Sequence, residues 1–183
     1  KEEIMALAPE SYRKLITTTF SDLEHPAYGQ IATVDAKGLP HVRTVHIHYA
    51  KPWGALTFNT HIRSPKWLEL KKNPRAAGCY YDLFRLIQFR WEGTALLIPP
   101  HSKKHSHFLD EMWLKMREDV RKAYCLDEGK KGNNPAIRCP SLGVVICQPL
   151  LWHIYKISME DFSKGTCTKH ILKNGKWQSY PLS

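Results

Sequence analysis

The sequence predicts a mainly β fold: a closed or nearly closed antiparallel barrel with helices packed on its outside. Three observations carry this expectation. About eight short apolar or alternating runs are separated by Gly, Pro, Asn and Asp turn signals. Only a few segments repeat apolar residues at the three- and four-residue spacing of a helix. The 183 residues contain no internal repeat and no linker-like stretch, so the strands belong to a single domain, 1–183.

Taken in order, residues 9–20 predict an opening helix. Tyr12, Leu15, Ile16 and Phe20 share one face of it, and Pro9 stands at its start. A strand over 29–35 runs into the turn Asp35-Ala36-Lys37-Gly38, where Gly38 supplies the positive φ. A second strand over 41–49 puts Val45, Ile47 and Tyr49 on one face and Thr44, His46 and His48 on the other. After Pro52-Trp53-Gly54 comes a third strand, 55–60. Ser64-Pro65 then opens a helix that ends at about residue 72, before Asn73-Pro74. Residues 76–81 and 86–98 predict two more strands. One long amphipathic helix is expected over 102–124, inside a helical insertion of about 101–125, because Phe108, Leu109, Met112, Trp113, Met116 and Val120 recur at helical spacing. The polar segment 127–140 predicts a mobile loop. Strands follow at 142–147 and 151–157. A last hairpin joins 166–172 to 177–180 through Asn174-Gly175. The barrel core is thus expected from 29–98 and 142–181.

Composition narrows the function classes. The net charge is +10 with pI near 9.4, which suits nucleic acid, an anionic membrane surface or a phosphorylated small molecule. The cations are scattered in pairs such as Lys71-Lys72 and Lys130-Lys131, and no arm of five or more cations exists; neither nucleic acid nor membrane is the expected partner. No apolar run approaches the ~20 residues that cross a bilayer, and no secretory leader is visible. The five cysteines are odd in number and contain no Cys-x-x-Cys pair, which argues against a zinc ribbon and a secreted disulfide framework. Reduced thiols in a cytoplasmic protein are expected, with Cys79 and Cys147 as buried packing residues.

The residues that can carry chemistry gather between positions 43 and 88. A helix opening at Ser64 offers free N–H groups and the positive end of its dipole to an anion. Arg63 and Lys66 add charge within one turn, Asn59 and Thr60 add amide and hydroxyl groups just before it, and Arg43 is a planar fork suited to phosphate. Phosphate binding and plain helix capping are both open readings of this start. Gln88 can donate and accept along a flavin or base edge, or it can be an outward polar residue of a half-buried strand. His46 with His48, and His101 with His105, have spacings that suit a metal, yet no cysteine or carboxylate completes either set, so no metal is expected. His48 is the one candidate for proton transfer or for facing a ligand.

The run Ala32 to Pro40, Val42-Arg43-Thr44-Val45, the helix start Arg63-Ser64-Pro65-Lys66 and Leu70-Lys71-Lys72-Asn73-Pro74 together resemble the pyridoxamine 5′-phosphate oxidase family. The stretch 88–93 resembles that family's Arg-Gln strand, with Ile87 in place of the arginine. The resemblance covers about residues 31–98. It implies an FMN-binding split β-barrel, a homodimer with FMN in the interface. It also implies that Arg43, Ser64 and Lys66 hold the FMN phosphate, that Thr44 and Val45 run beside the ring with Asn59 and Thr60 near the cofactor, and that Gln88 comes from the facing subunit; His46, His48 and Arg63 are further candidates for cofactor binding. Trp152 is the candidate for the family's C-terminal tryptophan. His48 stands where the oxidases proper have lysine, and their Tyr/Arg/Ser substrate-phosphate set is not found in 99–140, so FMN binding transfers better than substrate. The expected function is an FMN-dependent oxidoreductase. A non-catalytic flavin carrier or sensor, or a haem-binding split barrel, are the alternatives.

Overall fold

The computed structural model describes residues 8–126 and 134–182, which form nine strands and four α-helices. In chain order these are α1 (Glu10–Thr19), β1 (Tyr28–Val34), β2 (Pro40–His46), β3 (His48–Ala50), β4 (Ala55–His61), α2 (Pro65–Lys72), β5 (Arg75–Asp82), β6 (Ile87–Ile98), α3 (Ser106–Leu114), α4 (Glu118–Leu126), β7 (Leu142–Lys156), β8 (Thr166–Lys173) and β9 (Lys176–Leu182). All strand pairs are antiparallel. The main path is β2-β1-β5-β6-β7-β4-β3, and β8 with β9 continues from β7. The two ends of that path, β2 and β3, are consecutive in sequence, so the sheet curls round on itself without closing by hydrogen bonds. The barrel is split, not closed.

Local chemistry explains most of the connections. In the β1–β2 turn the Asp35 carboxylate accepts from the N–H groups of Lys37 and Leu39, and Gly38 takes φ +83°. Asn174 and Gly175 both have positive φ, which is the two-residue turn that matches the twist of a hairpin. Ser64 caps α2 by accepting from the Trp67 N–H at 3.4 Å, with Pro65 at the first helical position.

Three predicted elements differ in outcome. The strand expected over 41–49 is interrupted at Ile47. Its side chain is 1% exposed in the core and its N–H donates to Ala27, while the chain passes from pairing with β1 to pairing with β4. The strands expected at 142–147 and 151–157 are one continuous β7. Its first part pairs with β4 and its last part with β8, and the change falls at a bulge opposite Glu92/Gly93, where Pro149 needs no ladder partner for its missing N–H. The helix expected over 102–124 is broken between Leu114 and Glu118 into α3 and α4. The loop expected over 127–140 lies partly outside the described residues.

Gly93 is required at the bulge, since a Cβ there would stand 2.1 Å from the Gln148 carbonyl oxygen. Gly93→Ala is expected to lower stability by about 1–3 kcal/mol, the range for overpacking a close backbone approach, as read by chemical denaturation.

The main core lies inside the curl, where Phe58, Phe89, Trp91, Trp152 and Ile154 meet Ile16 and Phe20 of the α1 region. A second cluster packs Phe108, Leu109 and Met112 of α3 on Ile98, Val144 and Ile146. This anchors α3 and so fixes where α4 begins. Cys147 is 1% exposed and Cys79 is half-buried; Cys79, Cys139, Cys147 and Cys167 are free thiols. Among the described residues no helix is long and apolar enough to cross a membrane.

Candidate functional site

The ends of β2, β3 and β4, the start of α2 and the α3–α4 junction enclose a cleft of about 690 Å3. At one end the helix cap does double duty. Ser64 Oγ lies 2.9 Å from Thr60 Oγ1, and Lys66 Nζ donates to the same Thr60 oxygen at 3.2 Å. Two hydroxyls and an ammonium therefore converge within one turn of the N-terminus of α2. Burial lowers the Lys66 ammonium from its ordinary value, with Arg43 adding to the shift and Glu69 opposing it.

The wall beside this end is made by β2, β3 and β1. His46 and His48 have ring centroids 3.8 Å apart, and Tyr28 stacks on His46 at 4.9 Å. Burial brings His48 down to about 4, with His46 and Lys115 adding to the effect, and burial also lowers His46. Both imidazoles are thus kept neutral at pH 7 and can accept as well as donate. Deeper in β4, Asn59 donates through Nδ2 to the Met112 carbonyl at 3.3 Å, while its Oδ1 is buried without a hydrogen-bond partner among the described residues.

The opposite wall comes from α3 and α4, through Lys115, Met116, Arg117, Val120, Ala123 and Tyr124. Tyr124 stacks on His61 at 6.1 Å and meets Trp113 edge-on at 6.0 Å, and burial pushes its hydroxyl up to about 12. No acidic side chain lines the cleft among the described residues, whereas Lys66, Lys115 and Arg117 do. An anion is the ligand such a lining favours.

Eight of the predicted site residues meet here: Thr44, Val45, His46, His48, Asn59, Thr60, Ser64 and Lys66. Four do not. Arg43 turns away from the cleft. Its guanidinium donates to Thr33 Oγ1, to the His41 carbonyl at 3.0 Å and to Glu69 Oε2 at 3.0 Å. Glu69, 8% exposed, also accepts from Thr33 and bonds His41 at 2.6 Å. Burial pushes its carboxyl up, and the three hydrogen bonds together bring it below the usual range. Arg43 is thus the partner of a buried carboxylate and is not an anion anchor in this arrangement. Arg63 is exposed beside His61, to whose Nδ1 its backbone N–H donates at 3.0 Å. Trp152 is 0% exposed and meets Phe89 edge-on in the core, so it is a packing residue. Gln88 is half-buried on β6, on the same sheet face as Thr44 and His46 but three strands away through β1 and β5, roughly 14 Å at the usual strand spacing. It cannot reach the cleft of its own chain. Of the other paired histidines, His105 packs on Trp53 at 5.0 Å. Among the described residues no three His, Cys, Asp or Glu side chains gather as a metal set.

The α3–α4 wall and Tyr28 escaped the sequence. Residues 115–117, Lys-Met-Arg, continue the amphipathic pattern of 102–124, so nothing local marked them as a cleft wall.

The chain belongs to the pyridoxamine 5′-phosphate oxidase family, whose profile matches residues 17–137. No curated protein matches it. Among solved structures, a pyridoxamine 5′-phosphate oxidase-related, FMN-binding protein from Nostoc punctiforme aligns with a TM-score of 0.80 at 20% identity, covering 98% of this chain and 99% of that one. PhzG from Burkholderia lata, in complex with tetrahydrophenazine-1-carboxylic acid, gives 0.66 at 18% identity over 94% and 90% of the two chains. A Clostridium acetobutylicum protein related to general stress protein 26 gives 0.55 at 12% identity over 96% and 97%. At these identities the likeness establishes the fold alone, a split barrel.

Proposed function

We propose that this chain is an FMN-binding flavoprotein acting as an oxidoreductase, with the flavin phosphate at the Ser64–Lys66 end of the cleft. The observation that carries this reading is the convergence of Thr60, Ser64 and Lys66 at the N-terminus of α2, in a cleft whose lining among the described residues holds no carboxylate. Two further features fit the cofactor. The volume lies within the ~300–1,000 Å3 of small-molecule sites. The orphaned Oδ1 of Asn59 is an acceptor that a ring N–H would satisfy, removing the penalty of a buried unpaired oxygen.

When bound, the flavin supplies hydride or electron transfer. The chain's own residues do the rest. Thr60, Ser64 and Lys66 bind the phosphate, Thr44 and Val45 flank the ring, and Asn59 orients it. Tyr124 and Met116 exclude water from the α3–α4 side. His48, neutral and buried, is the residue placed to exchange a proton with a substrate.

The partner in this reading is a second copy of the chain. The face that carries Thr44 and His46 continues across β1, β5, β6 and β7, where Gln30, Val42, Arg90, Glu92 and His153 line a shallow groove of about 330 Å3. Arg90 and Glu92 set opposite charges two residues apart on it, as a self-complementary two-fold contact requires. A copy docked there would bring its Gln88 toward this cleft. The free thiols support a reducing, cytoplasmic setting.

A visible spectrum after reconstitution tests the cofactor: flavin bands are expected, and a Soret band in their place would favour a haem protein. Lys66→Ala is expected to weaken FMN binding by about 10- to 100-fold, the loss of one charge-assisted contact, while riboflavin affinity is unaffected. Equal losses for both ligands would move the phosphate elsewhere.

A further inference from the structure

Lys66 and Glu69 stand one turn apart on α2, at positions whose side chains are neighbours on a helix surface. They serve opposite directions. Lys66 reaches into the cleft to Thr60. Glu69 reaches under the sheet and takes the Arg43 guanidinium, whose terminal nitrogens are both engaged. Two cations and one anion therefore stand behind the closed end of the cleft, and only Lys66 faces it.

We propose, resting on the flavin-phosphate reading above, that Glu69 is a specificity-determining residue. By neutralising Arg43 it limits the phosphate end to one net positive charge, and so caps the affinity for a phosphomonoester. Such a ligand carries about −1.5 to −2 charge at pH 7, so its binding responds to every unit of charge nearby. The Lys66 ammonium is depressed first by burial and then by Arg43, and is supported by Glu69, which places all three groups in one field. Burial of Glu69 keeps solvent from screening its share. With its charge removed, Arg43 and Lys66 would act together on the phosphate. With it present, the cofactor is held by one net cation and hydroxyl donors, and it stays exchangeable.

Glu69→Gln is the decisive variant, since glutamine keeps the shape, with its carbonyl oxygen left to accept from Thr33 and its amide NH2 placed to donate to His41 Nδ1. FMN is expected to bind roughly tenfold more tightly to it, the effect of one partly screened charge, with riboflavin unchanged. Arg43→Gln is expected to weaken FMN by a similar factor. The double variant, which restores one net cation, is expected to return close to the parent. Thermal melts set the temperature at which all four proteins are folded. FMN affinity unchanged or weaker in Glu69→Gln overturns the proposal. So does a double variant as weak as Arg43→Gln alone, because Arg43 would then be gripping the phosphate itself. If FMN binds none of the four, the cofactor reading fails separately. Inorganic phosphate, followed by NMR of 13C-dimethylated Lys66, then decides the inference. Tighter phosphate binding in Glu69→Gln sustains it, and unchanged or weaker binding overturns it.

Discussion

Replacing Arg43 with alanine is expected to lower the free energy of unfolding by about 3–5 kcal/mol, the range for removing one partner of a buried ion pair. The reason lies in what remains. Glu69 is 8% exposed and Arg43 is 21% exposed, so the carboxylate cannot turn to water when its cation leaves. Thr33 and His41 still bond it, but neither carries the fixed charge of a guanidinium. The Arg43 cavity also separates β2 from the underside of α2, where the guanidinium bridges Thr33, the His41 carbonyl and Glu69. Urea denaturation with an unchanged m-value reads the loss directly. Arg43→Met combined with Glu69→Met is expected to regain most of it, because an apolar pair of similar volume has no charge to desolvate. A loss below about 1 kcal/mol for Arg43→Ala would mean that the pair behaves as an exposed one.

The same pair shows where sequence reading stops. Arg43 and Glu69 are 26 positions apart, and in sequence Glu69 is one more charge on a lysine-rich helix. Nothing local says that it points inward and captures the arginine. By contrast, Ser64-Pro65, Asp35 to Gly38 and Asn174-Gly175 were legible because each turn is specified by its own residues. The cleft wall from 44 to 66 was legible for the same reason: cap, strand alternation and cations lie in one continuous stretch. The α3–α4 break was hidden because residues 115–117 contain neither proline nor glycine. It follows from tertiary packing, with α3 pinned by Phe108, Leu109 and Met112 and the chain then turning along the cleft edge. Gln148-Pro149 misled in the other direction. It marks a strand end locally, yet the bulge opposite Glu92/Gly93 carries β7 through it. Trp152 was misplaced because alternation alone does not say which side of a curled sheet is the inside.

Acidification is expected to destabilise this protein well above the range where carboxylates titrate. His48 is brought down to about 4 by burial, then by His46 and Lys115, whereas an unfolded histidine titrates near ~6.5. Between these values the unfolded chain holds a proton that the native state refuses, so unfolding takes up protons and stability falls as pH falls. The contribution is intact above pH ~6.5, declines through the interval and is fully lost near the folded value, a total of about 3 kcal/mol for a shift of this size. His46, His153 and His170 are depressed in the same direction by burial and add to the slope. His170 is 2% exposed, with Nδ1 on Ser179 at 2.7 Å and Nε2 on Thr168 at 3.0 Å, so its neutral form is also held by hydrogen bonds. Carboxylates such as Glu69 and Asp22, whose folded values are lowered, act only below their unfolded values near 4 and leave the window above free. The denaturation midpoint measured from pH 7.5 to 4.5 should therefore drop steeply, and His48→Asn should flatten that drop while leaving the loss below pH 4 in place. A parent profile flat down to pH 4.5 would show that His48 is solvated and free to charge, and with that its role as a neutral, substrate-facing imidazole would fall.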